Sequence, residues 1–146
     1  MMLDLNILNM TNLYLDKKIM AIETETSLNV FNEELLVCSE EPLTGFFRDG
    51  CCNTNDDDHS SHTICVEIST AFLEYSRFKG NDLTTPVPEF GFPGLNDGDR
   101  WCLCAQRWLE AYNQKMAPRV HLMRTHKKAL EIVPLVLLKE FAVDLN

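Results

Sequence analysis

Two stretches of the chain repeat their apolar residues at regular intervals, and they predict the best-defined elements. In the first, "HTICVEI" (62–68) alternates as a half-buried strand does. The apolar residues on one of its faces are Ile64, Val66 and Ile68. Ser69 or Thr70 can cap a helix that follows. The apolar residues at helical spacing in that helix are Ala71, Phe72, Tyr75 and Phe78. Gly80 is expected to end the helix, because glycine adopts a left-handed conformation without strain.

The second regular stretch is "GDRWCLCAQRWLEAY" (98–112). It predicts a short strand, Trp101 to Leu103, and then a helix from about Cys104 to Gln114. The residues that share the apolar face of this helix are Cys104, Ala105, Trp108, Ala111 and Tyr112. We therefore expect Cys104 to lie in the core, whereas no apolar pattern accounts for Cys102.

Shorter patterns suggest the remaining elements. "LNVFNEELLVC" (28–38) predicts two short strands joined by a turn, and "RVHLM" (119–123) predicts another strand. Thr125 can cap a helix, and Pro134 suits the first turn of a last one. The apolar residues of that last helix are Leu137, Leu138, Phe141 and Leu145.

The segment from Gly80 to Asp99 differs from the rest of the chain. It carries four of the six glycines and three of the six prolines, together with Phe90 and Phe92. The aromatic residues can anchor such a segment to the body of the protein. We predict an ordered loop that covers one end of the sheet.

Together these patterns predict a single compact α+β domain over residues 28–146. It should contain a small antiparallel or mixed sheet, three to four helices and the long Gly/Pro-rich loop. Residues 1–27 have no clear apolar period, and Met20-Ala21 would make a natural start. We interpret residues 1–27 as an N-terminal extension, with residues 1–19 added by a mis-assigned start. The alternative is a short docking helix or a disordered arm.

Composition narrows the classes of protein. The formal net charge of −9 disfavours binding to nucleic acid and to anionic membranes, since both require a surplus of basic residues. No run approaches the roughly 18 apolar residues that span a bilayer. The N-terminus lacks the basic start of a signal peptide. We therefore predict a cytoplasmic protein whose six cysteines stay reduced.

Five motifs, in this order, closely resemble a bacterial domain-of-unknown-function family, number 2237. They are "PLTGFFRDGCC", "SHTICVEISTAFLEYSRFKGNDLTTPVPEFGFPGL", "GDRWCLCAQRWLEAY", "APRVHL" and "THKKALEIVPL". The resemblance covers Asn29 to about Asp144 and implies a single small α+β domain, with no established activity to transfer. It also implies that members begin near Leu28, which agrees with a start at Met20.

The chain departs from the family pattern at two positions. Ser60 stands where the family often has glycine before Ser-His, and Lys115 stands where it tends to have glycine after the helix that contains Trp108. A non-glycine residue in a left-handed helix end costs on the order of 1 kcal/mol. We therefore expect the turn at Lys115 to differ slightly.

Cysteine and histidine are the residues that can bind a transition metal here. A zinc ion needs four such ligands, and the predicted set comes from the Cys51-Cys52 turn and the two predicted strands. The members of this set are Cys52, His62, Cys65 and Cys102. Zinc signatures usually contain two C-x₂-C-like pairs, which are absent. The alternative is that these thiols are buried and reduced, and pack as small apolar residues.

The run "NTNDDDH" (53–59) resembles a calcium loop but does not complete one. It lacks the glycine at the sixth position, and Ile64 stands where the closing glutamate is needed. We interpret the run as a solvated acidic loop.

Two other chemistries remain open. A thiol-dependent enzyme would use Cys104 at a helix N-terminus or Cys52 in its turn, with His62 or His126 as base. A ligand pocket would use polar residues beside glycines and turns, and arginine would favour a small anion. The predicted ligand-binding residues are Arg48, Asp49, Asn81, Asp82 and Arg100. Solvated turn residues are the alternative for this set.

The preferred prediction is a small cytoplasmic binding module for a metal ion, with zinc as the cofactor, or for a small anionic ligand. The alternatives are a thiol-dependent enzyme and a structural or protein-interaction domain without chemistry. If a metal or reactive site exists, Cys102 is expected in it, joined by groups from the Cys51-Cys52 turn or from the strand that carries His62 and Cys65.

Overall fold

Three strands form the centre of the fold. The structure is a computed structural model that describes residues 27–145, so the predicted extension over residues 1–27 lies almost wholly outside the described residues. Strands β1 (His62–Glu67), β2 (Arg100–Cys104) and β3 (Arg119–Val120) form an antiparallel sheet in the order β2-β1-β3. In β1, alternation places Ile64 and Val66 on one face and Cys65 on the other.

Helix α1 (Thr70–Phe78) begins and ends as the sequence predicts. The Ser69 hydroxyl accepts a hydrogen bond from the Phe72 amide at 3.1 Å, which satisfies one of the amides left free at a helix start. Phe72 and Leu73 are buried against the sheet. Gly80 follows the helix with φ of +94°, a left-handed conformation.

Helix α2 (Ala105–Asn113) packs on the face of the sheet that carries Ile64 and Val66. Its buried residues are Ala105, Trp108 and Ala111. The Trp108 indole donates to the Pro118 carbonyl at 3.1 Å, so its single polar atom is satisfied in the core. The prediction that Cys104 belongs to this buried face is wrong, because Cys104 precedes the helix as its N-cap and is half-buried.

The last part of the chain is less regular than predicted. The "RVHLM" strand is limited to Arg119–Val120, and 3₁₀ helices follow at Leu122–Arg124 and Lys127–Glu131. Helix α3 (Leu135–Glu140) comes directly after Pro134 and buries Leu138.

The two strands predicted over residues 28–38 do not form. A single bridge joins Leu28 to Glu34, and another joins Asn29 to His126. The buried Asn29 carboxamide oxygen accepts from the amides of Phe31 and Glu33 at 2.8 and 3.1 Å. This side chain closes the turn, so the segment follows a tight bend in place of an extended pair.

The loop from Gly80 to Asp99 is ordered, as predicted. Its one helical turn is a 3₁₀ helix at Pro88–Phe90. Leu83 and Leu95 are buried, and the Leu95 amide donates to the Leu83 carbonyl at 2.8 Å, which closes the loop on itself. Phe92 is buried and packs edge-on against Trp101 with ring centroids 5.3 Å apart, whereas Phe90 is exposed.

Over residues 27–145 the architecture is therefore α+β, with three α-helices and a three-stranded antiparallel sheet. Among residues 27–145, no helix combines the length and the apolar character that crossing a membrane requires.

Candidate functional site

Four cysteines meet on the face of the sheet opposite Ile64 and Val66. Cys65 and Cys102 are direct partners across β1 and β2, so their side chains lie side by side. Cys38 forms a disulfide with Cys65, and Cys52 forms one with Cys102, with Cα–Cα distances of 5.9 and 5.3 Å. All four residues are at most 2% exposed and form a hydrophobic cluster of their own.

The two bridges contact each other. The sulfur atoms of Cys38, Cys52 and Cys102 all lie within 4.8 Å of one another, and Cys65 is bonded to the first of them. The surrounding backbone is fixed by hydrogen bonds from distant segments. The Cys38 amide donates to the Gly50 carbonyl at 2.8 Å, and the Cys102 amide donates to the Thr44 hydroxyl at 2.9 Å. We call this group the cysteine cluster.

The cysteine cluster corrects the expectation that all six thiols stay reduced, because four of them are paired in disulfides. It also differs from the predicted metal set. Cys52, Cys65 and Cys102 come together, but Cys38 takes the fourth place and His62 bonds elsewhere. The register shift between His62 and Ile64 interrupts the alternation of β1, and the His62 ring pairs with Asp58 and not with the sulfur atoms.

A second feature is a cavity of about 290 Å³ along the outer edge of β2. Three segments form its walls, namely the turn after Leu43, the start of the long loop and β2 together with His62. The lining residues are Gly45, Phe46, Arg48, His62, Asn81, Leu83, Trp101, Cys102, Leu103 and Cys104. We call this cavity the edge pocket.

Arg48 is held at the mouth of the edge pocket by two contacts. Its guanidinium carbon lies 5.6 Å from the centroid of the Trp101 ring, within the range of a cation–π contact. One guanidinium nitrogen donates to the Leu43 carbonyl at 3.1 Å. Among the described residues the Arg48 guanidinium donates only to Leu43, so its other N–H groups are available to a ligand.

His62 is oriented by a buried carboxylate. Its Nδ1 lies 2.7 Å from an oxygen of Asp58, whose side chain is 1% exposed, while the His62 side chain is 39% exposed. The second Asp58 oxygen accepts from the His62 amide and from the Thr54 hydroxyl, each at 2.9 Å. The plane of the His62 ring stacks on the Phe46 ring, and the two ring centroids are 6.2 Å apart. Asp58 therefore contradicts the prediction that the "NTNDDDH" run is wholly a solvated loop.

The two cysteines outside the disulfides differ in their surroundings. Burial, followed by the nearby carboxylates of Asp49 and Glu40, raises the pKa of Cys51 and keeps it a thiol. Cys104 faces the edge pocket, and its thiol donates to the Gln106 side-chain oxygen at 3.2 Å.

Three predicted ligand-binding residues do not line the edge pocket. Asp49 accepts from the Cys51 amide and the Asn53 side chain at 3.0 and 2.9 Å, which shapes its turn. Arg100 donates to the Cys38 carbonyl at 2.6 Å and thus contacts the cysteine cluster.

Asp82 also has a structural partner in its own turn. It accepts from the Thr85 hydroxyl at 2.7 Å and from the amides of Thr84 and Thr85. The hydroxyl bond, followed by the two amide bonds, lowers the pKa of Asp82. Arg48 and Asn81 are therefore the members of the predicted ligand set that share one cavity.

Sequence reasoning missed the roles of Asp58 and Cys38. Asp58 lies four residues before His62. The two side chains are in contact because the chain turns between them. Cys38 lies 27 residues before Cys65, at the end of a segment in which the two predicted strands do not form. No local signal in the sequence identifies either partner.

Comparison with known proteins identifies the family of the chain. A family model described as "Uncharacterized protein conserved in bacteria (DUF2237)" matches residues 28–142. Because the match spans most of the 146 residues, the chain belongs to this family. No curated protein matches the chain.

Proposed function

We propose that this member of the DUF2237 family is a binding module that holds a small anionic ligand in the edge pocket. The observation that carries the proposal is one cavity that Arg48, His62 and Asn81 all line. The Arg48 guanidinium and the Asn81 carboxamide can donate hydrogen bonds to a carboxylate or phosphate, and the His62 ring can do so from Nε2 in its protonated form.

The charge of the lining supports an anion. No carboxylate occurs among the described residues that line the edge pocket, although the protein as a whole carries a net charge of −9. Because the protein is acidic as a whole, the positive charge of Arg48 makes the edge pocket a local site of attraction for an anion. The aromatic rings of Phe46 and Trp101 add apolar walls, so a ligand with an anionic end and a short apolar body fits both chemistries.

The test is a titration of the full chain with acetate, benzoate and inorganic phosphate, followed by NMR shifts of backbone amides. We expect saturable shifts at Phe46, Arg48, His62 and Asn81. Arg48→Met should weaken binding about tenfold or more, because a charge-assisted hydrogen bond is lost. Arg77→Met is the matched control, since Arg77 is exposed in the last turn of α1 and should change nothing. Equal affinity in the two variants would refute the proposal.

A second candidate function is zinc binding by the reduced cysteine cluster. The observation that favours it is the convergence of four buried sulfur atoms from separate parts of the chain. A tetrathiolate is a preferred zinc donor set, with Zn–S bonds of about 2.3 Å. Two equivalents of a dithiol reductant would open both disulfides to four thiols. These thiols would then release four protons to solvent as they bind the ion.

Cobalt is the probe that tests this candidate. Protein reduced without oxygen is titrated with Co²⁺, and we expect one equivalent to give the visible ligand-field bands of a tetrahedral tetrathiolate. Cys51→Ser combined with Cys104→Ser should keep the bands, whereas Cys52→Ser should lose the four-sulfur spectrum. If reduced protein takes up no stoichiometric metal, or stays unfolded with zinc present throughout reduction, the candidate is wrong. Failure of both tests would leave a structural or protein-interaction role.

A further inference from the structure

We propose that Cys104 is a nucleophile in the edge pocket, with His62 as its general base and Asp58 as the residue that positions His62. The proposal rests on the edge pocket of the proposed function and adds covalent chemistry to it. The ligand class becomes a small anionic acyl compound, an ester or a thioester.

The strand register brings the base to the nucleophile. His62 and Cys104 are partners across the antiparallel pair of β1 and β2, and both line the edge pocket. Side chains directly opposite in such a pair have Cβ atoms about 4.5–5.5 Å apart. The register shift between His62 and Ile64 turns this end of β1 away from the regular alternation.

Asp58 determines which nitrogen of His62 can act as a base. Its carboxylate is an acceptor 2.7 Å from Nδ1, so Nδ1 carries the proton in the neutral ring and Nε2 is left as the proton acceptor. The carboxylate is itself held by the Thr54 hydroxyl and the His62 amide, which fixes its orientation. A buried acid, an oriented histidine and a thiol are the parts of an activated nucleophile.

Cys104 is suitably placed to react. It is half-buried and outside both disulfides, and it directly precedes the nine-residue helix α2. In the structure its thiol donates to Gln106 at 3.2 Å. The proposed reaction requires a rotation about χ1 of Cys104 that exchanges this contact for one to His62.

The proposed reaction is acyl transfer. The Cys104 sulfur attacks the carbonyl carbon and its proton moves to Nε2 of His62. The new C–S bond forms, the bond to the alcohol or thiol breaks, and that leaving group takes the proton from His62. Water, with His62 again as base, then cleaves the acyl-cysteine and restores the thiol. Arg48 would hold the anionic end of the substrate.

Alkylation rates test the nucleophile directly. The full chain, with its disulfides intact, reacts with neutral iodoacetamide at several pH values, and mass spectrometry measures modification of Cys104 and Cys51. We expect Cys104 to react at least tenfold faster than Cys51 at pH 7. His62→Gln should slow Cys104 about tenfold and move its pH–rate profile to higher pH, and Asp58→Asn should shift the profile in the same direction. His59→Gln, at an exposed histidine, is the matched control.

Two outcomes would overturn the proposal. One is a wild-type Cys104 pH–rate profile with the midpoint of an ordinary free cysteine, about 8.5, and this result needs no variant to fold. The other is an unchanged profile in folded His62→Gln protein. Iodoacetate separates this proposal from the anion site, because its negative charge should make it react faster than iodoacetamide only if Arg48 attracts it. If iodoacetate reacts no faster than iodoacetamide while the pH–rate results are as expected, the anion site is refuted and the role of Cys104 as a nucleophile stands.

Discussion

Lys115 shows how one residue affects the stability of a helix end. Its φ is +62°, and its amide donates to the Tyr112 carbonyl at 3.0 Å, while the Met116 amide donates to the Ala111 carbonyl at 2.7 Å. These two bonds form a Schellman motif, in which the left-handed position is usually glycine. Lys115 stands where the family tends to have glycine, and it adopts the left-handed conformation that glycine favours. The expectation that this turn differs slightly from that of other members stays a prediction.

Replacing Lys115 with glycine should therefore stabilise the protein. We expect Lys115→Gly to raise the free energy of unfolding by up to about 1 kcal/mol, because the steric strain of a Cβ at positive φ is removed. Denaturant unfolding measures the change. The control is Lys79→Gly at the end of α1, where φ is −83° and glycine should destabilise. Equal effects of the two changes would contradict the prediction.

The edge pocket also depends on single residues placed by turns. Ser61 has a φ of +52°, and its carbonyl accepts from the Ala105 amide at 2.8 Å, which ties the start of β1 to the start of α2. This contact holds His62 and Cys104 at the same end of the sheet. Substitutions at Ser60 and Ser61 should therefore change the geometry of the edge pocket more than the packing of the core.

The long loop between α1 and β2 depends on one close approach of backbone. Gly94 has a φ of +81°, and a Cβ there would collide with the Thr84 carbonyl oxygen. Glycine thus permits the contact that brings Leu95 to its hydrogen bond with Leu83. Leu83 lines the edge pocket, so the loop's closure also shapes the site.

Gly94→Ala should open this loop. We expect a loss of stability clearly larger than the roughly 1 kcal/mol that positive φ alone costs, because backbone atoms must also move apart. Gly91→Ala is the matched control, since its φ is +64° and no atom lies within 4 Å of the added Cβ. Hydrogen exchange at Leu95, together with denaturant unfolding, measures the effect. Similar losses of stability in Gly94→Ala and Gly91→Ala would contradict the prediction, since they would mean that the added Cβ does not collide with the Thr84 carbonyl.

At the level of the complete chain, the two disulfides join the irregular first segment to the sheet. They connect residues 50 and 27 positions apart, and each attaches a loop residue to β1 or β2. A crosslink stabilises mainly by restricting the unfolded chain, and more so for a longer loop. The cysteine cluster should therefore contribute a large share of the stability of this domain.

Removal of each bridge tests this contribution. Cys52→Ser with Cys102→Ser should lower the free energy of unfolding by roughly 4 kcal/mol, and Cys38→Ser with Cys65→Ser by slightly less, from loop-closure entropy. Denaturant unfolding measures both pairs, with Cys51→Ser and Cys104→Ser together as the control. No loss in either pair would mean that these cysteines are not bridged in the protein under test.

The regular part of the fold could be predicted from the sequence. Strand β1, helix α1 with its Ser69 cap, strand β2 and helix α2 all follow periodic patterns of neighbouring residues. Such patterns are local, so they can be interpreted without knowing the rest of the chain. The prediction was wrong at residues 28–38, where the Asn29 side chain closes a turn that apolar alternation does not reveal.

The candidate site could be predicted only in outline. Residue chemistry identified the cysteines, His62 and Arg48 as candidates, because these side chains bind metals, protons and anions. Their partners depend on contacts between distant segments, such as the amide of Cys38 with Gly50 and the guanidinium of Arg100 with the Cys38 carbonyl. Cys102 was expected to join the Cys51-Cys52 turn in any metal or reactive site. Folding paired it with Cys52 and brought Cys104 to His62, because strand register and loop path are set by packing across the whole chain.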